Sequence, residues 1–200
     1  MASSALAAET AFCDWRDITL RDLTILNRED ATIAHVCAAK DKRALAAAAI
    51  HGAFGVPPPE KPECVATEAG VTIVWAGPEQ WLVIADGRDG RDLEAELTPL
   101  LKGLAAVTDQ SDARVIVRIQ GSHARALLAK GVPVDLDAHA FPARGAVHTH
   151  ASHIGVVLWQ IDDRPTYELA VFRSFADSFG TWVRSAAAEW GYARARGAAE

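Results

Sequence analysis

Apolar and polar residues alternate along Val115–Ile119 (VIVRI), the period of a strand with one buried face. Two or three further strands follow at about Ala146–Thr149, Ile154–Gln160 and Thr166–Val171, with DDRP turning between the last pair. Between them, Gly121-Ser122 reads as a helix start, with Ser122 placed to cap the amides of Ala124 or Arg125. Ala124, Leu127 and Leu128 supply the buried stripe of that short helix, and Lys130-Gly131 with Pro133 stops it. Phe175, Phe179, Trp182, Val183, Ala186 and Trp190 then recur at helical spacing until Gly191. Ser174, with Asp177 three residues on, matches a capping pattern for this last helix.

The earlier half follows the same logic. Leu23–Leu26 is a short strand, and the alanine-rich run His35–Phe54 favours helix, although its opening also suits a strand. Gly55 and Pro57–Pro59 end that run. Val71–Ala76 and Trp81–Ala85 form a hairpin about GPEQ, Asp92–Leu101 a helix carrying Leu93, Leu97, Leu100 and Leu101 on one side, and Leu104–Thr108 a strand. The order β-α-β-β-α-β predicts a ferredoxin-like split βαβ sandwich. The expected class is therefore α+β, built from two small α/β sandwich units. Residues 1–20 read as an irregular arm, 21–110 as the first unit, 111–191 as the second and 192–200 as a flexible tail. Phe12, Trp15, Ile18 and Leu20 can pin the arm to its own domain or to a partner.

Composition narrows the functional classes. Two hundred residues, half of them apolar and with six Trp and six Phe, suffice for a sizeable core. The net charge of -6 and the lack of any Lys/Arg block longer than three residues argue against a nucleic-acid partner, which would need a basic face. No stretch reaches membrane-spanning length, Met1–Ala8 lacks the basic leader of a secretory signal, and Cys13, Cys37 and Cys64 are too few and scattered for a disulfide scaffold. Cytoplasm is the expected location. The tryptophans divide between core and interface roles, which spacing alone does not separate.

Candidate chemistry is sparse. His148, His150 and His153 form the densest histidine cluster, but no cysteine or close carboxylate joins them, so polar edge or interface histidines are expected over a metal site. Asp109, Ser111 and Asp112 sit between two strands, where a carboxylate and a hydroxyl set a tight turn or join a polar contact cluster. Asp135 and Asp137, flanking Leu136, invite the same reading. Arg173, beside Ser174, is the arginine expected to reach a carboxylate bidentately, across a subunit boundary. Nucleophile-elbow, phosphate-loop, zincin and dinucleotide signatures are absent.

The segments GPEQWLVIA (Gly77–Ala85), VTDQSDARVIVRIQG (Val107–Gly121), ALLAKGVPVDL (Ala126–Leu136), AFP (Ala140–Pro142) and FRSFADSFGTWV (Phe172–Val183) resemble, in order and spacing, the gamma subunit of heterotetrameric sarcosine oxidase. The resemblance implies a fold similar to the folate-binding domains of the glycine-cleavage T protein. It implies a non-catalytic companion to alpha, beta and delta subunits, alpha being the direct contact. The family's complex demethylates sarcosine oxidatively to glycine, releasing hydrogen peroxide and, with tetrahydrofolate, giving 5,10-methylenetetrahydrofolate. FAD, FMN, NAD, zinc and tetrahydrofolate would be held by the other subunits, with no cofactor bound by this chain. Asp109, Ser111, Gly121, Asp135, Leu136, Arg173, Ser174 and Phe175 match the family pattern as fold-setting or contact positions, and Trp182 joins them in the last helix. The stretch HTHASH departs from the family's usual small or neutral run, although Thr149 is kept. A stand-alone folate-binding aminomethyltransferase-like protein and a non-enzymatic interaction module are the alternatives.

Overall fold

The computed structural model describes residues 10–191. Eleven strands and four α-helices follow one another as β1 (Ile18–Leu20), β2 (Leu23–Asn27), β3 (Ala31–Ala38), α1 (Arg43–Phe54), β4 (Cys64–Ala66), β5 (Val71–Gly77), β6 (Gln80–Asp86), α2 (Gly90–Leu100), β7 (Ala105–Asp109), β8 (Arg114–Gln120), α3 (Ala124–Leu128), β9 (Ala146–Ala151), β10 (Ile154–Asp162), β11 (Thr166–Phe172) and α4 (Ala176–Ala187). They form a five-stranded sheet, β4-β5-β6-β3-β7, and a six-stranded sheet, β1-β2-β8-β11-β10-β9. In the first, β3-α1-β5-β6-α2-β7 reproduces the expected ferredoxin-like order, with β3 antiparallel to both β6 and β7.

Period-two alternation decides how the sheets stack. On β6, Trp81, Val83 and Ala85 face α1 and α2, while Leu82 and Ile84 face the other sheet. On β10, Val156 and Leu158 face α3 and α4, while Val157 and Trp159 turn inward to meet Leu82, Ile84 and Ile33. Each strand thus serves two cores, and the layers run helix, sheet, sheet, helix. Complete burial of a side chain such as Leu82 or Val157 stabilises by roughly 1.5–3 kcal/mol, so this shared inner layer binds the sheets firmly.

Several local expectations change in the folded chain. Leu23–Leu26 was expected to open the first unit, yet β2 pairs with β8 of the second sheet, because Leu23 and Ile25 bury against the α3 and α4 core. The arm is not wholly irregular: Ile18–Leu20 is a strand, and Phe12 and Ile18 pack into the same core, so its described part lies on its own domain. His35–Ala38 continues β3, and α1 starts only at Arg43, since β6 and β7 flank that segment on both sides. Cys64–Ala66 adds an edge strand that its short length concealed. Neither serine caps its helix: α3 starts from His123 and α4 from Phe175 after a 3₁₀ turn at Arg173–Phe175, each without a side-chain cap. The predicted tail, 192–200, lies outside the described residues. No helix among them is long and apolar enough to cross a membrane.

Candidate functional site

The turn after β7 is built as its residue types imply. Asp109 Oδ1 accepts from the Ser111 amide at 2.9 Å and its hydroxyl at 2.7 Å, while Ser111 Oγ accepts from the Ile33 amide at 3.0 Å. Gly90, the first residue of α2, is pressed against this pair; a Cβ there would stand 2.6 Å from the Asp109 carboxylate. The ends of β3 and β7 and the start of α2 are therefore tied to one carboxylate–hydroxyl unit. Both groups are engaged in holding backbone.

Gly121 has φ +113, and a Cβ would fall 2.4 Å from the Asp22 carbonyl, so the β1–β2 turn lies directly against the β8–α3 turn. Asp135 Oδ1 accepts from the Asp137 amide, and Asp137 Oδ1 from the His139 amide and ring. These hydrogen bonds hold the Asp137 carboxyl below the usual carboxylate range. Leu136 between them is buried.

The other contact candidates gather where β11 meets α4. Phe172 and Phe175 are 43% and 48% exposed, on either side of half-buried Arg173 and exposed Ser174. The Arg173 amide donates to the Ala113 carbonyl, fastening this turn to the start of β8. The Arg114 guanidinium stands 4.0 Å over the Phe172 ring. Trp182 faces inward, onto Gly131 and Phe179.

The histidines do not converge. His148 and His150 share one face of β9, opposite Val157 and Gly155, while His153 follows the β9–β10 turn. Among the described residues no group of three His, Cys, Asp or Glu side chains is arranged to hold a metal. His148 instead meets Trp75 edge to face at 6.0 Å between centroids, and His35 Nε2 hydrogen-bonds Gln80 Oε1 at 3.1 Å. Partial burial and the Arg114 charge lower the pKa of both rings.

One cluster escaped the sequence reading. Glu168, 3% exposed on the inner face of β11, accepts from Arg118 Nε at 2.9 Å and Nη2 at 2.7 Å, and pairs with Arg28 from the β2–β3 turn. Arg28 also pairs with Asp86 at the end of β6, so one guanidinium bridges the two sheets. Burial pulls the Arg28 pKa down, but Glu168, Asp86 and Asp30 outweigh it and the net shift is upward. A charged residue amid the apolar runs TYELAVF and VIVRI was the available signal, since a buried charge demands a partner.

Two stacked sheets clad by helices, one of them ferredoxin-like, place the chain in an α+β class shared with the aminomethyltransferases. The glycine cleavage system aminomethyltransferase T from Bartonella henselae superposes over 81% of this chain and 45% of its own, with TM-score 0.58 at 14% identity, a likeness of fold alone. The chain belongs to the sarcosine oxidase, gamma subunit family, whose model matches residues 38–189. It is 32% identical over 145 residues to sarcosine oxidase subunit gamma of Corynebacterium sp. (strain P-1), covering 72% of this chain and 70% of that one. It is 34% identical over 124 residues to the subunit gamma of Arthrobacter sp, 61% of this chain; the match spans 60% of that relative's length. A chain of the heterotetrameric sarcosine oxidase from Corynebacterium sp. U-96 in complex with pyrrole 2-carboxylate superposes with TM-score 0.75 at 25% identity, covering 88% of this chain and 89% of that one.

Proposed function

We propose that this chain is the non-catalytic gamma subunit of a heterotetrameric sarcosine oxidase, in which alpha is its direct contact. The assembly oxidises sarcosine to glycine with release of hydrogen peroxide, and passes the one-carbon unit to tetrahydrofolate as 5,10-methylenetetrahydrofolate. The observation that carries this reading is the superposition on a chain of a heterotetrameric sarcosine oxidase along 88% of the present chain.

The state of the reactive groups supports a supporting role. Asp109 and Ser111 are engaged by backbone, and Glu168 is held by two guanidiniums. Burial pushes the Cys64 thiol up to about 12, far from a nucleophilic thiolate at neutral pH. A cavity of about 460 Å³ beside the β1–β2 turn is walled by Arg21, Asp22, Arg118, Gln120, Asp162 and Arg164. Leu23 and Ile161 add apolar surface, but no aromatic side chain lines the cavity for a flavin or pterin ring to stack on. In this reading FAD, FMN, NAD, zinc and tetrahydrofolate reside on the other subunits.

Phe172 and Phe175, bracketing Arg173, supply the aromatic and arginine anchors typical of an interface centre, and form the proposed contact with alpha. The test is native mass spectrometry of the chain co-expressed with candidate alpha, beta and delta chains. A one-to-one-to-one-to-one assembly carrying flavin is expected, beside a flavin-free isolated chain. Failure to assemble while the chain stays folded would overturn the subunit reading.

A further inference from the structure

We infer that the mouth between the two sheets at Arg114 and Phe172 receives an aspartate or glutamate side chain of the alpha subunit, a step that rests on the reading of Phe172 and Phe175 as the contact with alpha.

Two arginines share the inner face of β8, and only one of them has an acid. Period two puts Arg114, Ile116 and Arg118 on that face, with Ile116 in the apolar layer between the sheets. Directly across on β11, Arg118 meets Glu168, whereas Arg114 meets Phe172. The Arg114 guanidinium lies 4.0 Å from the centre of the phenyl ring. A ring face attracts the charge but leaves the in-plane N–H donors uncommitted. Among the described residues this guanidinium makes no salt bridge or hydrogen bond, and its Nε is buried without an acceptor.

The surroundings supply no anion. Burial lowers the Arg114 pKa and no carboxylate raises it, in contrast to Arg28, which three acids raise. Asp112 and Glu29 line a cavity of about 280 Å³ together with Arg114, yet neither forms an ion pair with it. His35 of β3 and His148 of β9 lie within reach of its charge, which helps to keep both rings neutral. A half-buried guanidinium without a counter-ion is costly. A carboxylate carried in by a partner relieves that cost and can accept two of its N–H groups at once.

The mouth is open to such a group. Phe172 is exposed. Val157 pairs with Ala170 on the inner face, so two residues outward Gly155 stands beside Phe172. Gly155 is exposed, and a Cβ built there would meet nothing within 4 Å. His35, tied to Gln80 at 3.1 Å, gives the facing sheet a polar lip.

The test is competition for a place in the tetramer. Parent and variant chains with tags of different mass are co-expressed in pairs with the candidate alpha, beta and delta chains, and native mass spectrometry reads their ratio in the assembly. Arg114→Gln is expected to be under-represented about ten-fold or more, Arg114→Glu further still, and Arg114→Lys less than either. Treated with a carbodiimide, the Arg114→Lys tetramer is expected to give a zero-length cross-link from position 114 to an Asp or Glu of alpha. This cross-link carries the test should the charge-reversed variant fail to fold. Thermal unfolding of isolated Arg114→Gln is expected to stay close to that of the parent, which separates a contact role from a structural one. Equal incorporation of parent and Arg114→Gln, equal losses in all three variants, or no cross-link to an acid of alpha would overturn the inference while leaving the tetramer standing. No tetramer with the parent chain would instead overturn the subunit reading, and the inference with it.

Discussion

The indole of Trp182 lies on Gly131, where a Cβ would stand only 2.7 Å from ring atoms Cζ2 and Nε1. Phe179 packs against the same ring at 5.5 Å between centroids, tilted by 52°. Gly131→Ala is expected to destabilise by about 1–3 kcal/mol through overpacking. The loss should appear in thermal unfolding, with a shift of tryptophan emission. Gly52, inside α1 with no atom within 4 Å of a built Cβ, is the contrast. Gly52→Ala should gain roughly 0.5–1 kcal/mol.

Glu168 is the acid on which both sheets depend. Glu168→Leu strands Arg28 and Arg118 without their shared carboxylate, and the expected loss is about 3–5 kcal/mol. Asp86 is exposed on its side of the same network, so Asp86→Asn should lose no more than about 1 kcal/mol. Urea unfolding of both variants checks the ranking; equal losses would remove Glu168 from the centre of the network.

Acid should weaken the fold through His35. Its ring is half-buried, and burial together with Arg114 lowers its pKa below 6.5 despite the pull of Gln80. The unfolded chain therefore takes up a proton near 6.5 that the folded chain resists until lower pH. The contribution is complete above 6.5 and is lost as pH falls through 6.5 toward the depressed folded value. His148, lowered by partial burial and by Arg114, acts in the same direction. Denaturant midpoints between about pH 7.5 and 5 should fall less steeply in His35→Gln than in the parent.

Phe172 and Phe175 are exposed, so replacing both by serine should cost only about 1 kcal/mol, most of it the lost stacking of Arg114 on Phe172. Recovery of the tetramer in co-expression should fall sharply. Retained assembly with unchanged affinity would move the proposed contact to another face.

Local chemistry carried much of the fold. The hairpin about GPEQ, the leucine stripe of α2 and the Gly-Pro stop after α3 each depend on neighbours within one turn or one strand, and all stand where their residue types put them. The errors fall where distant partners decide. Ser122 and Ser174 have capping chemistry, but packing sets the first turns of α3 and α4 and leaves both serines outside the cap. Arg28, Arg118 and Glu168 come from separate elements, and no spacing rule connects them.

By itself the sequence determined most of the longer elements, the ferredoxin-like order of the first half and, through ordered motifs, the family. Periodicity and turn chemistry are local, so they survive without coordinates. Only the tertiary structure decided that Leu23 and Ile25 join the second sheet, that His148 answers to Trp75 rather than to His150 and His153, and that Arg28 and Arg118 share one carboxylate. Strand pairing and the stacking of two sheets are choices among distant partners, set by which buried faces and charges satisfy one another once the chain closes.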